Sequence, residues 1–90
     1  MNFNFSWQMS KKPRPGSLAE VPLGTTARVV AVEAPEPVRG RLADLGFLPG
    51  TPVTFLRRAP LGDPGVYELR GTQLCLRRTE ARVIRVRAGA

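Results

Sequence analysis

The run Arg41–Asp63 (RLADLGFLPGTPVTFLRRAPLGD) constrains the fold most, because its punctuation fixes a helix, a stop, a turn, a strand and a loop in order. Val38, Leu42 and Leu45 recur at spacings of four and three, so they share one face of a helix at about 37–45. Leu42 and Leu45 are read as core contacts where that helix lies on the rest of the fold. Gly46 stands where a left-handed residue ends such a helix, and Pro49-Gly50 marks the turn that follows. Gly40 sits in the helix interior and weakens it by about 1 kcal/mol relative to Ala, which predicts a short or slightly bent helix.

Beyond the helix the β signals dominate. Strands are expected near 26–33, 52–58, 65–70, 73–78 and 83–87, with a loop at 59–64, a turn at Gly71 and a tight turn around Thr79-Glu80-Ala81. Tyr67/Leu69, Leu74/Leu76 and Ile84/Val86 alternate with polar residues and face one side. Ninety residues support one domain with a small core. Short strands in so small a chain point to a closed or nearly closed antiparallel barrel, which removes sheet edges. Its core is expected to hold Val29, Val53, Phe55, Leu69, Leu76 and Ile84, with Phe47 and Tyr67 also buried.

The order of these signals resembles the FeoA family, small cytosolic proteins that accompany the FeoB ferrous iron transporter. The resemblance extends over roughly residues 17–87. Ser17–Gly24 (SLAEVPLG) is similar to the family's opening segment, and Ala27–Ala31 (ARVVA) to its first strand. Gly71-Thr72, Leu74-Cys75-Leu76-Arg77-Arg78, Glu80-Ala81 and Val83–Val86 resemble its closing pattern. Gly40 departs from it, since a basic or larger residue is usual there. The resemblance implies a mainly β fold, a small SH3-like β-barrel with a short helical insertion after the first strand, at 17–88. It also implies a cytoplasmic accessory protein of ferrous iron uptake that binds FeoB and its GTPase domain. A similar barrel ends the DtxR-type metal-dependent repressors, but this chain has no helix-turn-helix segment for it to regulate.

Residues 1–16 read as a separate, flexible tail. Phe3, Phe5 and Trp7 alternate with polar residues, then Lys11-Lys12-Pro13-Arg14-Pro15-Gly16 forms a basic linker. A signal peptide has the reverse order, basic start before apolar core. The tail is compatible with disorder, with docking of its aromatics on a partner or second copy, and with a membrane-surface anchor. No apolar run in the chain approaches the roughly 20 residues of a membrane-spanning helix.

The catalytic inventory is thin. There is no histidine, no phosphate-cradling glycine motif, and one cysteine, so neither an internal disulfide nor a cysteine-cluster metal site can form. Cys75, between Leu74 and Leu76, reads as a packed or half-exposed side chain. Only Glu33 and Glu36 form a close acidic pair, flanking Pro35, where a hard metal such as Fe²⁺ would find oxygen ligands. These observations point to a non-enzyme with no resident metal and no cofactor.

Charge offers the rival reading. The net charge is +7, carried mostly by arginine. A basic small barrel invites a nucleic-acid-binding function, but the aromatics that would stack bases are few and expected to be buried. Arg57-Arg58 and Arg77-Arg78 each split between opposite strand faces. An acidic partner or an anionic membrane surface suits such a surface as well. Arg39, Arg41, Leu48, Pro60, Leu61 and Asp63 are the candidate partner contacts, expected together on one end of the barrel. Leu61 is read as folding back to cap the barrel, the alternative being that it awaits a partner. Oligomeric state, self-association included, is left open by the sequence.

Overall fold

The computed structural model describes residues 16–88. Six antiparallel strands form one sheet in the order β1-β6-β2-β3-β4-β5. They are β1 (Gly16–Ser17), β2 (Thr26–Val32), β3 (Pro52–Arg58), β4 (Gly65–Leu69), β5 (Thr72–Leu76) and β6 (Ile84–Ala88). A helix α1 (Val38–Leu45) follows β2, and a one-turn helix α2 (Arg78–Ala81) joins β5 to β6. The long strands and α1 lie where the sequence puts them. The turn read at Thr79–Ala81 is the helical turn α2. Gly16, counted with the tail from the sequence, pairs with Val86 in β1; the reading of the rest of the tail falls outside the described residues.

The sheet curls because its strands are bulged. Register shifts between Val29 and Ala31 on β2, and between Phe55 and Arg57 on β3, bend each strand across the fold. The curl encloses a core of Leu18, Val21, Ala27, Val29, Leu42, Phe47, Val53, Phe55, Tyr67, Leu69, Leu76, Ala81, Ile84 and Val86. All six residues expected in the core from the period-2 pattern are among them.

Phe55 and Tyr67, facing partners on β3 and β4, stack with ring centroids 4.8 Å apart and planes inclined by 18°. Gly65 fits beneath them. A Cβ there would meet Tyr67 Cε1 at 3.0 Å and Phe55 Cε1 at 3.1 Å, so a side chain at this position would require the rings to give by a few tenths of an ångström. The opening segment is clipped by Ser17. Its backbone N–H donates to Glu20 Oε1 (3.2 Å), its hydroxyl oxygen accepts from the Ala19 N–H (3.1 Å), and its hydroxyl lies 3.1 Å from the Arg82 carbonyl. This is a capping box of Ser17 and Glu20 tied to the far end of the chain.

Two placements, Leu45 and Leu61, differ from the sequence reading. Leu45 is not core: it is 48% exposed, while Leu42 is fully buried. The helix has only eight residues and lies at the barrel rim, so one of the two leucines faces in. Its end is fixed by Gly46 at φ +115°, packed so close to Leu69 Cδ2 that a Cβ would stand 2.9 Å away. Leu61 does not cap the barrel: it is 96% exposed. The Gly62 N–H donates to the Ala59 carbonyl (2.8 Å) and the Ala59 N–H to the Pro64 carbonyl (2.9 Å), closing the loop locally with Leu61 at its apex. Cys75 is exposed, since its neighbours Leu74 and Leu76 turn toward the core.

Truncating Phe55 to Ala is expected to cost about 3–5 kcal/mol, a large part of the stability of a domain this small. Chemical denaturation checks it; an unchanged midpoint would contradict the packing described.

Candidate partner-binding surface

Helix α2 organises the surface where the predicted residues meet. Glu80 accepts from the Arg77 N–H through Oε1 (2.9 Å), covering a donor at the start of its own helix. Its other oxygen, Oε2, accepts from Arg41 Nη2 at 2.9 Å. On the other side, Asp63 Oδ1 accepts from the Arg78 N–H at 3.0 Å. One helical turn thus links α1 to the 59–64 loop, bringing Arg41 and Asp63 to the same part of the molecule. Pro60 and Leu61 belong to that loop and are exposed.

Arg39 and Leu48 are placed differently. Arg39 is exposed and pairs locally with Glu36 (3.2 Å), whose other oxygen accepts from the Gly40 N–H at 2.9 Å. Leu48 is 43% exposed, in the turn that precedes β3. That turn is bonded to β2 through Gly50 N–H to the Val29 carbonyl (2.7 Å). The 59–64 loop leaves the opposite end of β3, so the seven-residue strand, about 20 Å long, separates the bases of the two loops. The single end expected from sequence is therefore two regions, with Leu61 and Asp63 in one and Leu48 in the other.

Four residues at or just beneath this surface were not among the candidate contacts read from sequence: Arg58, Tyr67, Arg78 and Glu80. Arg58, Asp63, Tyr67 and Arg78 line a shallow depression with Ala19, Gly65 and Leu76. The Arg58 guanidinium lies 4.8 Å above the Phe55 ring, and its Nη1 is 3.4 Å from the Gly62 carbonyl. Arg57 turns outward instead, with Nη2 3.5 Å from Gln73 Oε1. The Glu80 role was readable as an acid three residues past the residue that starts the helix. The Arg41–Glu80 pairing spans 39 positions and leaves no sequence signal.

Among the described residues no group of three or more Cys, Asp and Glu side chains is placed to hold a metal ion. Glu33 and Glu36, the one close acidic pair in sequence, are each engaged by an arginine: Glu33 with Arg85 at 2.8 Å and Glu36 with Arg39. The arrangement offers an apolar tip on a short loop beside several guanidinium groups, which suits recognition of a macromolecular partner. No helix among the described residues is long and apolar enough to cross a membrane.

Comparison with known proteins agrees with this architecture. A family model described as the FeoA domain matches residues 16–88. An Fe(2+) transport protein A/Fe(2+) transporter FeoB fusion protein of Porphyromonas gingivalis is 36% identical over 69 residues, which cover 77% of this chain. The chain spans only 8% of that relative's length. The solution structure of the FeoA protein of Chlorobium tepidum is 43% identical with a TM-score of 0.76, covering 82% of this chain and 70% of that one. The crystal structure of a zinc complex of Stenotrophomonas maltophilia FeoA is 34% identical with a TM-score of 0.70, covering 78% of this chain and 87% of that one. That protein is described as an SH3-domain protein and a candidate activating factor for ferrous iron transport.

Burial raises the Tyr67 phenol above its usual value of 10.0; Arg58 and Arg78 pull it partly back, and Asp63 pushes it up. A raised native value means the folded state holds the proton more tightly. The resulting stability is fully present below pH 10 and is lost as pH rises through the native value. Tyr67 is the chain's single tyrosine, so tyrosinate absorbance reports it directly. We expect a titration midpoint above 10 in the folded protein, and a flatter alkaline stability curve for Tyr67→Phe; a midpoint at or below 10 would contradict the burial.

Proposed function

This chain belongs to the FeoA family, and on that premise we propose that it is a cytoplasmic accessory protein that binds the FeoB ferrous iron transporter at its cytosolic GTPase region. The observation that carries the reading is the Porphyromonas gingivalis relative, in which transport protein A and FeoB form one polypeptide. Fusion holds two modules at high effective concentration, a benefit only if they act on each other.

The mechanism we infer is non-catalytic. A chain without histidine or a nucleotide-binding loop supplies neither general acid–base groups at neutral pH nor a phosphate cradle. Binding one nucleotide state of the transporter more tightly than the other shifts that transporter's equilibrium by the difference in affinity. The contact is assigned to the 59–64 loop and the neighbouring face of α2. Leu61 is the apolar anchor, and Arg41, Arg58 and Arg78 form the charged rim. Leu48, at the other end of β3, lies apart from this contact. The nucleic-acid alternative is disfavoured by Phe47, Phe55 and Tyr67, which are all buried and leave no exposed ring among the described residues for base stacking.

Calorimetry against the FeoB cytosolic region, with and without a GTP analogue, tests the reading. Wild type is expected to bind, with different affinities in the two nucleotide states. Leu61→Asp and Arg41→Glu should fold normally, because the loop tip is exposed and a surface ion pair contributes about 0–1 kcal/mol. Each should lose about 1–3 kcal/mol of binding. Absence of wild-type binding in both states would overturn the function; wild-type affinity in both variants would overturn the assigned contact.

A further inference from the structure

The depression beside the 59–64 loop holds a polar group that neither the core nor the contact described above uses. Tyr67 is only 3% exposed, and its ring is committed to the stack with Phe55. Its hydroxyl end faces the depression, among Arg58, Asp63 and Arg78, the three charged groups that act on its ionisation. Among the described residues that hydroxyl has no hydrogen-bond partner. Asp63 Oδ1 is committed to the Arg78 N–H at 3.0 Å, and Arg58 Nη1 lies 3.4 Å from the Gly62 carbonyl. A buried donor without an acceptor costs stability, and phenylalanine would serve the stack without that cost. The hydroxyl is therefore aimed at something outside the fold.

The surroundings define the acceptor that fits. No ion pair of the described residues includes Arg58 or Arg78. Both guanidinium groups keep donors and charge for an incoming anion, against the single carboxylate of Asp63 at the rim. The depression encloses about 10 Å³, room for about one oxygen-sized group. That admits the tip of a carboxylate and is too small for an aromatic ring or a nucleobase. We propose that the Tyr67 hydroxyl, Arg58 and Arg78 form a receptor for one carboxylate, the side chain of an Asp or Glu on the partner protein. One carboxylate oxygen accepts from the Tyr67 O–H while the guanidinium groups face its charge. The inference rests on the FeoB-binding reading and adds the chemistry of the counterpart: an acid that enters beside the Leu61 contact.

Acetate is the direct probe. Amide spectra of the isotope-labelled full chain, titrated with sodium acetate and separately with sodium chloride at matched ionic strength, should show saturable shifts at Gly65, Tyr67 and Arg78 with acetate only. Tyr67→Phe removes one oxygen and leaves the ring stack, so its Tm should hold or rise while acetate saturation is lost. Against the FeoB cytosolic region, Tyr67→Phe and Arg78→Gln should each bind about tenfold more weakly. Asp63→Asn, which removes the opposing charge, should bind about threefold more tightly, a gain that misfolding cannot produce. Acetate shifts no larger than those with chloride would overturn the receptor. Full FeoB affinity in Tyr67→Phe would overturn the inference while the FeoB reading stands. Saturable acetate binding by a chain that does not bind FeoB would support the receptor and overturn that reading instead.

Discussion

The stack of Phe55 on Tyr67 is the contact on which the rest of the molecule depends. It joins β3 to β4 inside the curl of the sheet, and it packs tightly over Gly65, where a Cβ would press on both rings. Arg58 closes over the Phe55 ring from outside. The Arg58–Gly65 pair is also the base of the 59–64 loop, so the same packing that forms the core aims the loop. A loop seated on stacked rings presents Leu61 at a defined place with little further loss of chain entropy, and preorganisation of this kind lowers the cost of binding.

A second layer of order comes from carboxylates directed at backbone N–H groups. Glu20, Glu36, Asp63 and Glu80 each accept from a main-chain N–H near a turn or helix start. Such charge-assisted bonds satisfy donors that short elements would otherwise leave bare. Four of the seven acids are used in this way. A fifth, Glu33, is paired with Arg85. The positive field of the molecule is therefore concentrated in arginines that the fold leaves uncompensated.

The barrel was legible because strand periodicity is local. Val53, Phe55, Leu69, Leu76 and Ile84 all point inward as alternation requires, and Gly46 ends α1 in the left-handed conformation its position demanded. Leu45 was misread because helical spacing identifies an apolar stripe without revealing how much of it the partner surface covers. Leu61 was misread because turn chemistry gives the loop but not the direction of its apex. The two-residue β1 is too short for any period, and the bridge from Arg41 through Glu80 joins residues that only the fold brings together. The candidate contact was thus half visible: its loop and one arginine from sequence, its organising helix only from structure.

An interaction module of this kind is tested most directly by mapping where the partner touches it. Amide spectra of the isotope-labelled chain, recorded during titration with the FeoB cytosolic region, report each position separately. The account predicts shifts concentrated at Leu61, Asp63, Arg78 and Arg41, with Leu48 and the strands β2 and β6 unmoved. Shifts centred on Leu48 or on β2 and β6, or no shifts at saturating partner, would contradict it.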